Sequence, residues 1–229
     1  RATPTLADGD VYSVGAKGHF VRLDGQTGKP KWTVNILEGN ENLMWGMAGS
    51  PLIFDDLVVV TPGAQSAAAK GKGVQAYLRD SGILKWSAGE HQGGYSSPVL
   101  ATLGGHRQII VFDGGGVSGY DADGKGELWR QPWPVNQGNN ALANLKCKFT
   151  SPVRNGPNII GLDEGVLTAV QWLTGERQWR FQRYGHGQVL LVGQNAGIQA
   201  EDGRLVIVPV SGAPGTPMEI KAITKGGKT

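Results

Sequence analysis

The sequence predicts an all-β fold built from a repeated four-stranded unit, and three observations support this prediction. Glycine and proline are abundant, with 37 and 12 copies among 229 residues, and this composition disfavours helices and supplies turns. A hydroxyl residue followed by proline recurs, with proline-to-proline spacings of about 47, 47 and 54 residues. Between these prolines recurs a second signature, a glycine-containing turn followed by a tryptophan.

The hydroxyl–proline motif opens each of the first four units. It occurs at Thr3-Pro4, Ser50-Pro51, Ser97-Pro98 and Ser151-Pro152. After each motif come a turn and a run rich in β-branched residues, which are typical of strands. These runs are Val11–Val14, Leu57–Val60, Gln108–Val111 and Asn158–Ile160.

The tryptophan signature closes the same four units. Its copies are Leu23–Gly28 before Trp32, Arg79–Gly82 before Trp86, Tyr120–Gly124 before Trp129, and Leu173–Gly175 before Trp179. We expect the glycine to take a positive φ, Asp or Thr to bind turn amides, and the tryptophan to cap the next unit. The third copy departs from the others, because its turn is rearranged as Asp123-Gly124-Lys125-Gly126.

The spacing of the repeats is typical of four-stranded propeller blades, in which neighbouring blades bury each other's faces. The first unit has strand-like runs at Ala2–Leu6, Val11–Val14, His19–Leu23 and Lys31–Val34. A fifth unit lacks the tryptophan and keeps four runs, at Gln188–Val192, Gly197–Ala200, Arg204–Val208 and Met218–Ala222. The prediction is a β-propeller of four-stranded antiparallel blades in one domain. The approximate units are 1–47, 48–94, 95–145, 146–183 and 184–229.

Composition and charge exclude several classes of protein. The chain has 22 Lys and Arg against 19 Asp and Glu, and this net charge of +3 is dispersed, so we expect no nucleic-acid partner. No stretch of 18 apolar residues predicts a transmembrane segment, and no signal peptide is visible. The single cysteine, Cys147, cannot form an internal disulfide and is interpreted as a buried structural thiol.

The tryptophan signature resembles the pyrroloquinoline-quinone (PQQ)-type β-propeller repeat, whose blades end in Ala-x-Asp-x-x-Thr-Gly-x-x-x-Trp. The resemblance covers essentially the whole chain, which is also similar to the outer-membrane assembly lipoproteins that share this fold. The repeat's aspartate is present as Asp24 and Asp121 and replaced by Leu78 and Gln171. The family has usually eight blades, so three interpretations stay open: a fragment, ordered segments joined together, or a shorter ring. The resemblance implies a bacterial protein of the periplasm or a secreted one.

The resemblance also raises the possibility of an enzyme. Quinone dehydrogenases with this fold stack the quinone on a tryptophan, place an arginine near its carbonyls and hold calcium with Glu, Asn and Asp. Many also carry a vicinal disulfide, which Cys147 alone cannot form. We therefore expect no catalytic residue, no metal ligand and no cofactor, and predict a protein-interaction or ligand-binding scaffold. The alternative is an oxidoreductase of alcohols or sugars that uses PQQ with Ca²⁺.

Candidate binding residues come from segments that precede the predicted innermost strands. These segments are Asn42–Met47, His91–Tyr95, Leu145–Phe149 and Arg183–Gly187. In a propeller such connections meet on one face around the central channel, a default ligand site. The predicted channel-mouth residues, for a protein partner or a small ligand, are Trp45, Tyr95, His91, Arg183, Tyr184 and His186. The alternative is that Trp45, Tyr95 and Tyr184 pack between blades.

Overall fold

A computed structural model describes residues 2–103, 105–114, 116–132, 151, 153–163, 165–171 and 176–221. These residues form five four-stranded antiparallel sheets, which confirms the predicted fold class. In each sheet the strands pair in the order in which they follow along the chain, as in a propeller blade. That the whole chain forms one domain stays a prediction.

The blades are numbered along the chain. Blade 1 comprises β1 (Thr5–Ala7), β2 (Asp10–Val14), β3 (His19–Asp24) and β4 (Pro30–Asn35). Blade 2 comprises β5 (Leu52–Phe54), β6 (Leu57–Val60), β7 (Val74–Leu78) and β8 (Leu84–Ala88). Blade 3 comprises β9 (Val99–Leu103), β10 (His106–Phe112), β11 (Gly116–Asp121) and β12 (Glu127–Pro132). Blade 4 comprises β13 (Val153–Asn155), β14 (Asn158–Asp163), β15 (Val166–Gln171) and β16 (Arg177–Arg183). Blade 5 comprises β17 (Gln188–Val192), β18 (Asn195–Gln199), β19 (Arg204–Pro209) and β20 (Met218–Lys221).

The core lies between neighbouring blades, because each middle sheet presents apolar residues on both faces. In β6 of blade 2, Val58 and Val60 pack in a cluster with Tyr12 of blade 1. The alternate residues Leu57 and Val59 pack against blade 3. This period-two division follows from the alternation of side chains along a strand and explains why β6 is apolar throughout.

Two tryptophans cap the following blade, as the repeat predicted. Trp32 of blade 1 lies against Gly82 in the turn of blade 2, and its indole Nε1–H donates to the carbonyl of Arg79 at 2.8 Å. Trp86 of blade 2 lies in the same way against Gly124 of blade 3. Both glycines have a positive φ, +69° and +89°. A Cβ on either would fall within 2.8 Å of the indole, so only glycine leaves room for it.

The turns themselves are held in two ways. In blade 1 the carboxylate of Asp24 accepts hydrogen bonds from the amide and the hydroxyl of Thr27, both at 2.8 Å. These bonds lower the pKa of Asp24 to about 2. The blade 2 turn has Leu78 in the aspartate's place and keeps the two backbone bonds that both turns share. Gly82 N donates to Leu78 O and Leu78 N to Ile83 O, each at 2.9 Å, just as Gly28 N donates to Asp24 O and Asp24 N to Lys29 O.

Several predicted features lie outside the described residues. They are Cys147, the Leu145–Phe149 segment and the Leu173–Gly175 turn against which Trp129 would pack. In the described part of the chain, Trp129 donates its indole N–H to Gln108 of its own blade at 2.7 Å. No helix among the described residues is long and apolar enough to cross a membrane.

Candidate functional site

A cavity of about 650 Å³ lies where the innermost strands of the blades approach one another. This volume falls within the roughly 300–1,000 Å³ that holds small-molecule ligands. Residues from all five repeats line the cavity: Thr3, Trp45, Met47, Ala48, Ser50, Tyr95, Ser97, Ser151, His186 and Gln188. None of these described lining residues is Asp, Glu, Lys or Arg. The described lining therefore combines polar and apolar side chains and has no carboxylate, ammonium or guanidinium group.

The wall of the cavity is built by a chain of hydrogen bonds between blades, here called the hydroxyl ladder. The backbone N–H of Thr3 donates to the hydroxyl of Ser50 at 3.0 Å, and that of Ser50 to Ser97 at 2.9 Å. The N–H of Ser97 donates in turn to Ser151 at 3.1 Å. Each hydroxyl comes from a hydroxyl–proline motif, which places it just before an innermost strand. The ladder therefore fixes four successive blades around the cavity.

The rim of the cavity carries an exposed apolar tip, Met44 and Trp45, in the connection between β4 and β5. Their side chains are 86% and 68% exposed. The flanking residues Leu43 and Met47 are buried, and Met47 N donates to the carbonyl of Ala16 at 2.9 Å. The tip is therefore held in place from both sides while its two large apolar side chains face solvent.

Tyr95 joins the tip from the next connection, between β8 and β9. Its ring centroid lies 5.5 Å from that of Trp45, and the two planes are inclined by 39°. The Tyr95 hydroxyl also lies 3.5 Å from the Trp45 backbone nitrogen. Two of the predicted binding residues thus come together at the cavity as an aromatic pair.

Blade 5 contributes the polar remainder of the lining. His186 is exposed and occupies the position at which the earlier blades carry a hydroxyl residue, and Gly187 replaces the proline. The backbone N–H of His186 donates to the carboxylate of Glu201 at 3.0 Å. Gln188 follows at the start of β17 and is also exposed. An imidazole and a carboxamide therefore continue the ring of hydroxyls.

The structure places His91 away from the cavity, against blade 3. Its Nε2 lies 3.2 Å from Glu127 Oε2, an atom that also accepts the Tyr120 hydroxyl at 3.0 Å. Burial raises the pKa of Tyr120, and the neighbouring Glu127 raises it further, so this hydroxyl stays protonated. His91 is half-buried in a contact between blades 2 and 3 and is not part of the site proposed below.

Tyr184 and Arg183 also lie apart from the cavity lining. Tyr184 is 3% exposed and packs in the cluster between blades 4 and 5, and burial raises its pKa. Its hydroxyl has no hydrogen-bond partner among the described residues. Arg183 ends β16 and is exposed. Of the six predicted residues, Trp45, Tyr95 and His186 are brought together at the cavity.

Sequence reasoning did not assign a role to the serines of the ladder or to Gln188. The sequence does contain a signal for the serines, because the hydroxyl–proline motif recurs in the first four units. A hydroxyl that recurs at the same position before an innermost strand must face the axis in every blade. Gln188 had no such signal, since it is the first residue of β17 in a unit that lacks the motif.

The cavity does not match the needs of a PQQ–calcium group. Trp45 offers a ring, but no arginine and no carboxylate stands among the described lining residues. Across the described part of the chain, no group of three or more His, Cys, Asp or Glu is placed to hold a metal ion. A hard divalent cation needs several oxygen ligands, including carboxylates, so this donor set fits the group poorly.

Comparison with known proteins identifies the family. A family model described as outer membrane protein assembly factor BamB (PQQ_2) matches residues 1–212. The chain belongs to this family. The resemblance to PQQ-type propellers is thereby confirmed, and no curated protein matches the chain.

Solved structures share the fold at low sequence identity. BamB from Moraxella catarrhalis is 16% identical with a TM-score of 0.67, covering 95% of this chain and 63% of that one. The computationally designed Ika8 protein is 14% identical, with a TM-score of 0.59 and coverage of 95% and 61%. Quinohemoprotein alcohol dehydrogenase from Comamonas testosteroni is 13% identical, with a TM-score of 0.61 and coverage of 96% and 42%. This chain therefore spans less than two thirds of each of these proteins.

Proposed function

We propose that the protein is a non-catalytic scaffold that binds a protein partner through the Met44–Trp45 tip. The observation that carries this proposal is the exposure of two large apolar side chains on a connection whose flanks are buried. Isolated exposed apolar residues are common, but here Tyr95 lies beside the tip and extends it into one aromatic patch. Tryptophan and methionine are enriched in protein interfaces.

The tip is suited to binding because its conformation is already fixed. Gly46 has a φ of +77°, and a Cβ there would lie 2.7 Å from the carbonyl of Ala16. The connection is thus pressed against blade 1, and the Asn42 side chain adds a further bond to the same carbonyl at 3.0 Å. A partner that buries Trp45 would not have to order this loop, so little of the binding free energy would be lost to entropy.

The family description supports a protein partner and an extracytoplasmic location. It names an assembly factor of outer membrane proteins, which is a protein-binding role at the cell envelope. We accordingly propose a periplasmic or secreted location and no cofactor. The poor fit of the cavity's donor set to a PQQ–calcium group supports the second point.

The binding role is tested by photo-crosslinking in the source cells. A photoreactive amino acid is placed at position 44 and, as a control, at position 83, since Ile83 is 62% exposed on blade 2. We expect a discrete crosslinked protein from position 44 that is absent from position 83. Trp45→Ala in the same chain should weaken that product, because hot-spot residues contribute about 2 kcal/mol or more. Equal products from both positions would contradict the proposal.

The non-catalytic role is tested by titration with pyrroloquinoline quinone, with and without Ca²⁺, following tryptophan fluorescence. We expect no saturable quenching from the folded protein. Saturable, calcium-dependent quenching at micromolar quinone would instead support an oxidoreductase and would direct assays to alcohols and sugars with an electron-accepting dye.

A further inference from the structure

The lining of the cavity combines features that select one class of small ligand. Its polar groups are hydroxyls, a carboxamide and an imidazole, and its apolar groups are the aromatic pair at the rim, Met47 and Ala48. An anion would find no Lys or Arg among the described lining residues, and a cation no carboxylate. A wholly apolar ligand would displace water from the hydroxyls without replacing their hydrogen bonds, and this desolvation costs free energy.

The ladder serines keep hydrogen-bonding capacity toward the cavity. In Ser50, Ser97 and Ser151 the hydroxyl oxygen accepts one backbone N–H from the preceding blade. A hydroxyl has one donor and two acceptor sites, so each serine's own O–H can still donate. Because the ladder fixes their positions, these hydroxyls form a pre-organised row of neutral groups along one wall.

The aromatic pair supplies the complementary surface. The ring centroids of Trp45 and Tyr95 lie 5.5 Å apart at the rim, and each side chain carries an apolar ring with one polar atom. A sugar ring matches such a lining, because it has one face of C–H groups and a perimeter of hydroxyls. Gln188 and His186 stand on the blade 5 side of the cavity, where they can hydrogen-bond a second part of the ligand.

We propose that this cavity binds a neutral saccharide, held between the aromatic pair and the polar wall of ladder serines, Gln188 and His186. This site is separate in its chemistry from the protein-binding tip, although Trp45 belongs to both. The binding is reversible, so the proposal requires no reaction.

The first experiment is isothermal titration calorimetry of the full chain with maltotriose and with cellotriose. The charged comparator is trigalacturonic acid, which has a similar size and carries carboxylates. We expect saturable heat with at least one neutral trisaccharide at millimolar concentration and weaker binding of the charged one. An absence of heat from both neutral sugars, or equal binding of the charged one, would overturn the proposal.

Variants then locate the binding. Gln188→Leu approximately preserves the side-chain volume at an exposed position. It should weaken the affinity for the neutral sugar about two- to tenfold, as expected for the loss of one hydrogen bond. Trp45→Ala should weaken it by about tenfold, and Ile83→Ala should leave it unchanged. If sugar binding survives both Gln188→Leu and Trp45→Ala unaltered, the saccharide lies elsewhere and the proposal fails.

The two proposals are distinguished by the same set of proteins. Gln188→Leu should leave photo-crosslinking from position 44 intact, since the carboxamide lies in the cavity and not on the tip. Met44→Ala should leave the sugar affinity unchanged, since Met44 is not among the described lining residues of the cavity. In the protein that carries only the photoreactive residue, absence of a crosslink with sugar binding present would reject the partner alone. A crosslink without sugar binding would reject the saccharide alone.

Discussion

The first two blade junctions use the same tryptophan cap, but the indole N–H has a hydrogen-bond acceptor at only one of them among the described residues. At the junction of blades 1 and 2, the indole N–H of Trp32 donates to Arg79 O. At the junction of blades 2 and 3, the indole N–H of Trp86 is buried without a partner among the described residues. Both rings rest on a glycine of the next turn, so packing alone does not explain the difference.

The difference originates in the turn that receives the indole. Arg79 stands three residues before Gly82, and the turn closes through Leu78 O, which leaves the Arg79 carbonyl to Trp32. Asp121 corresponds to Leu78 and likewise accepts the amide of the turn glycine, Gly124 N at 3.1 Å, but Gly124 follows Asp121 by three residues whereas Gly82 follows Leu78 by four. The rearranged third copy of the repeat therefore brings its glycine one residue closer along the chain to Ala122, which stands where blade 2 has Arg79. The cap remains, while its hydrogen bond is absent among the described residues.

The largest expected effect concerns the glycines beneath the indoles. Gly124→Ala should destabilise the protein by about 2–4 kcal/mol, because it adds backbone strain and a contact with the Trp86 ring. The new Cβ would lie 2.4 Å from that ring, against 2.8 Å for Gly82→Ala at Trp32. Urea unfolding should thus rank Gly124→Ala as more destabilising than Gly82→Ala.

Gly126 offers a matched control for this ranking. Its φ is +104°, and a Cβ there would meet nothing within 4 Å. Gly126→Ala should therefore cost only the strain, about 1 kcal/mol. If Gly126→Ala is as damaging as Gly124→Ala, contact with the indole is not what requires glycine at the second junction.

A smaller effect separates the two indole N–H groups. Trp32→Phe loses ring volume and a hydrogen bond, whereas Trp86→Phe loses ring volume and removes a buried unpaired donor. We expect Trp32→Phe to be more destabilising by about 1–2 kcal/mol in chemical unfolding. Equal losses would show that an unseen partner, such as water, satisfies Trp86.

The smallest effect is a dependence on pH that belongs to blade 1. Thr27 lowers the pKa of Asp24 to about 2 from 3.8, so the folded state favours the ionised carboxylate. The resulting stabilisation is present above the unfolded pKa and is lost as pH falls from 3.8 toward 2. As pH decreases across this range, the unfolding midpoint should fall less steeply in Asp24→Asn than in the unsubstituted protein. A parallel decline in both proteins would assign the acid sensitivity to other groups.

Much of the architecture could be predicted because it is encoded by local repeats. The spacing of prolines and tryptophans indicates the blades, and the sequence of the third turn departs visibly from the other copies. These features depend on residues within one unit or at a fixed spacing between units, which a single sequence displays.

The candidate site was harder to predict because it depends on contacts between units. Tyr95 and Tyr184 occupy similar positions before innermost strands, yet Tyr95 lines the cavity and Tyr184 is buried between blades 4 and 5. His91 turns toward Glu127, which belongs to the outermost strand of the next blade. The side chains of the neighbouring blade determine these orientations, and the local sequence pattern of one unit does not contain that information.

The hydroxyl ladder also has a direction, and this makes the blades unequal as modules. In every described rung, a backbone N–H of one blade donates to the hydroxyl of the next blade. An inner blade with serine at this position therefore donates through its N–H and accepts through its hydroxyl. A copy of blade 2 or blade 3 could be duplicated within the series without interrupting the rungs. Blade 5 has His186 at that position and lacks the hydroxyl that each described rung uses as its acceptor. Duplication of an inner blade would therefore continue the ladder, whereas duplication of blade 5 would not supply a further hydroxyl.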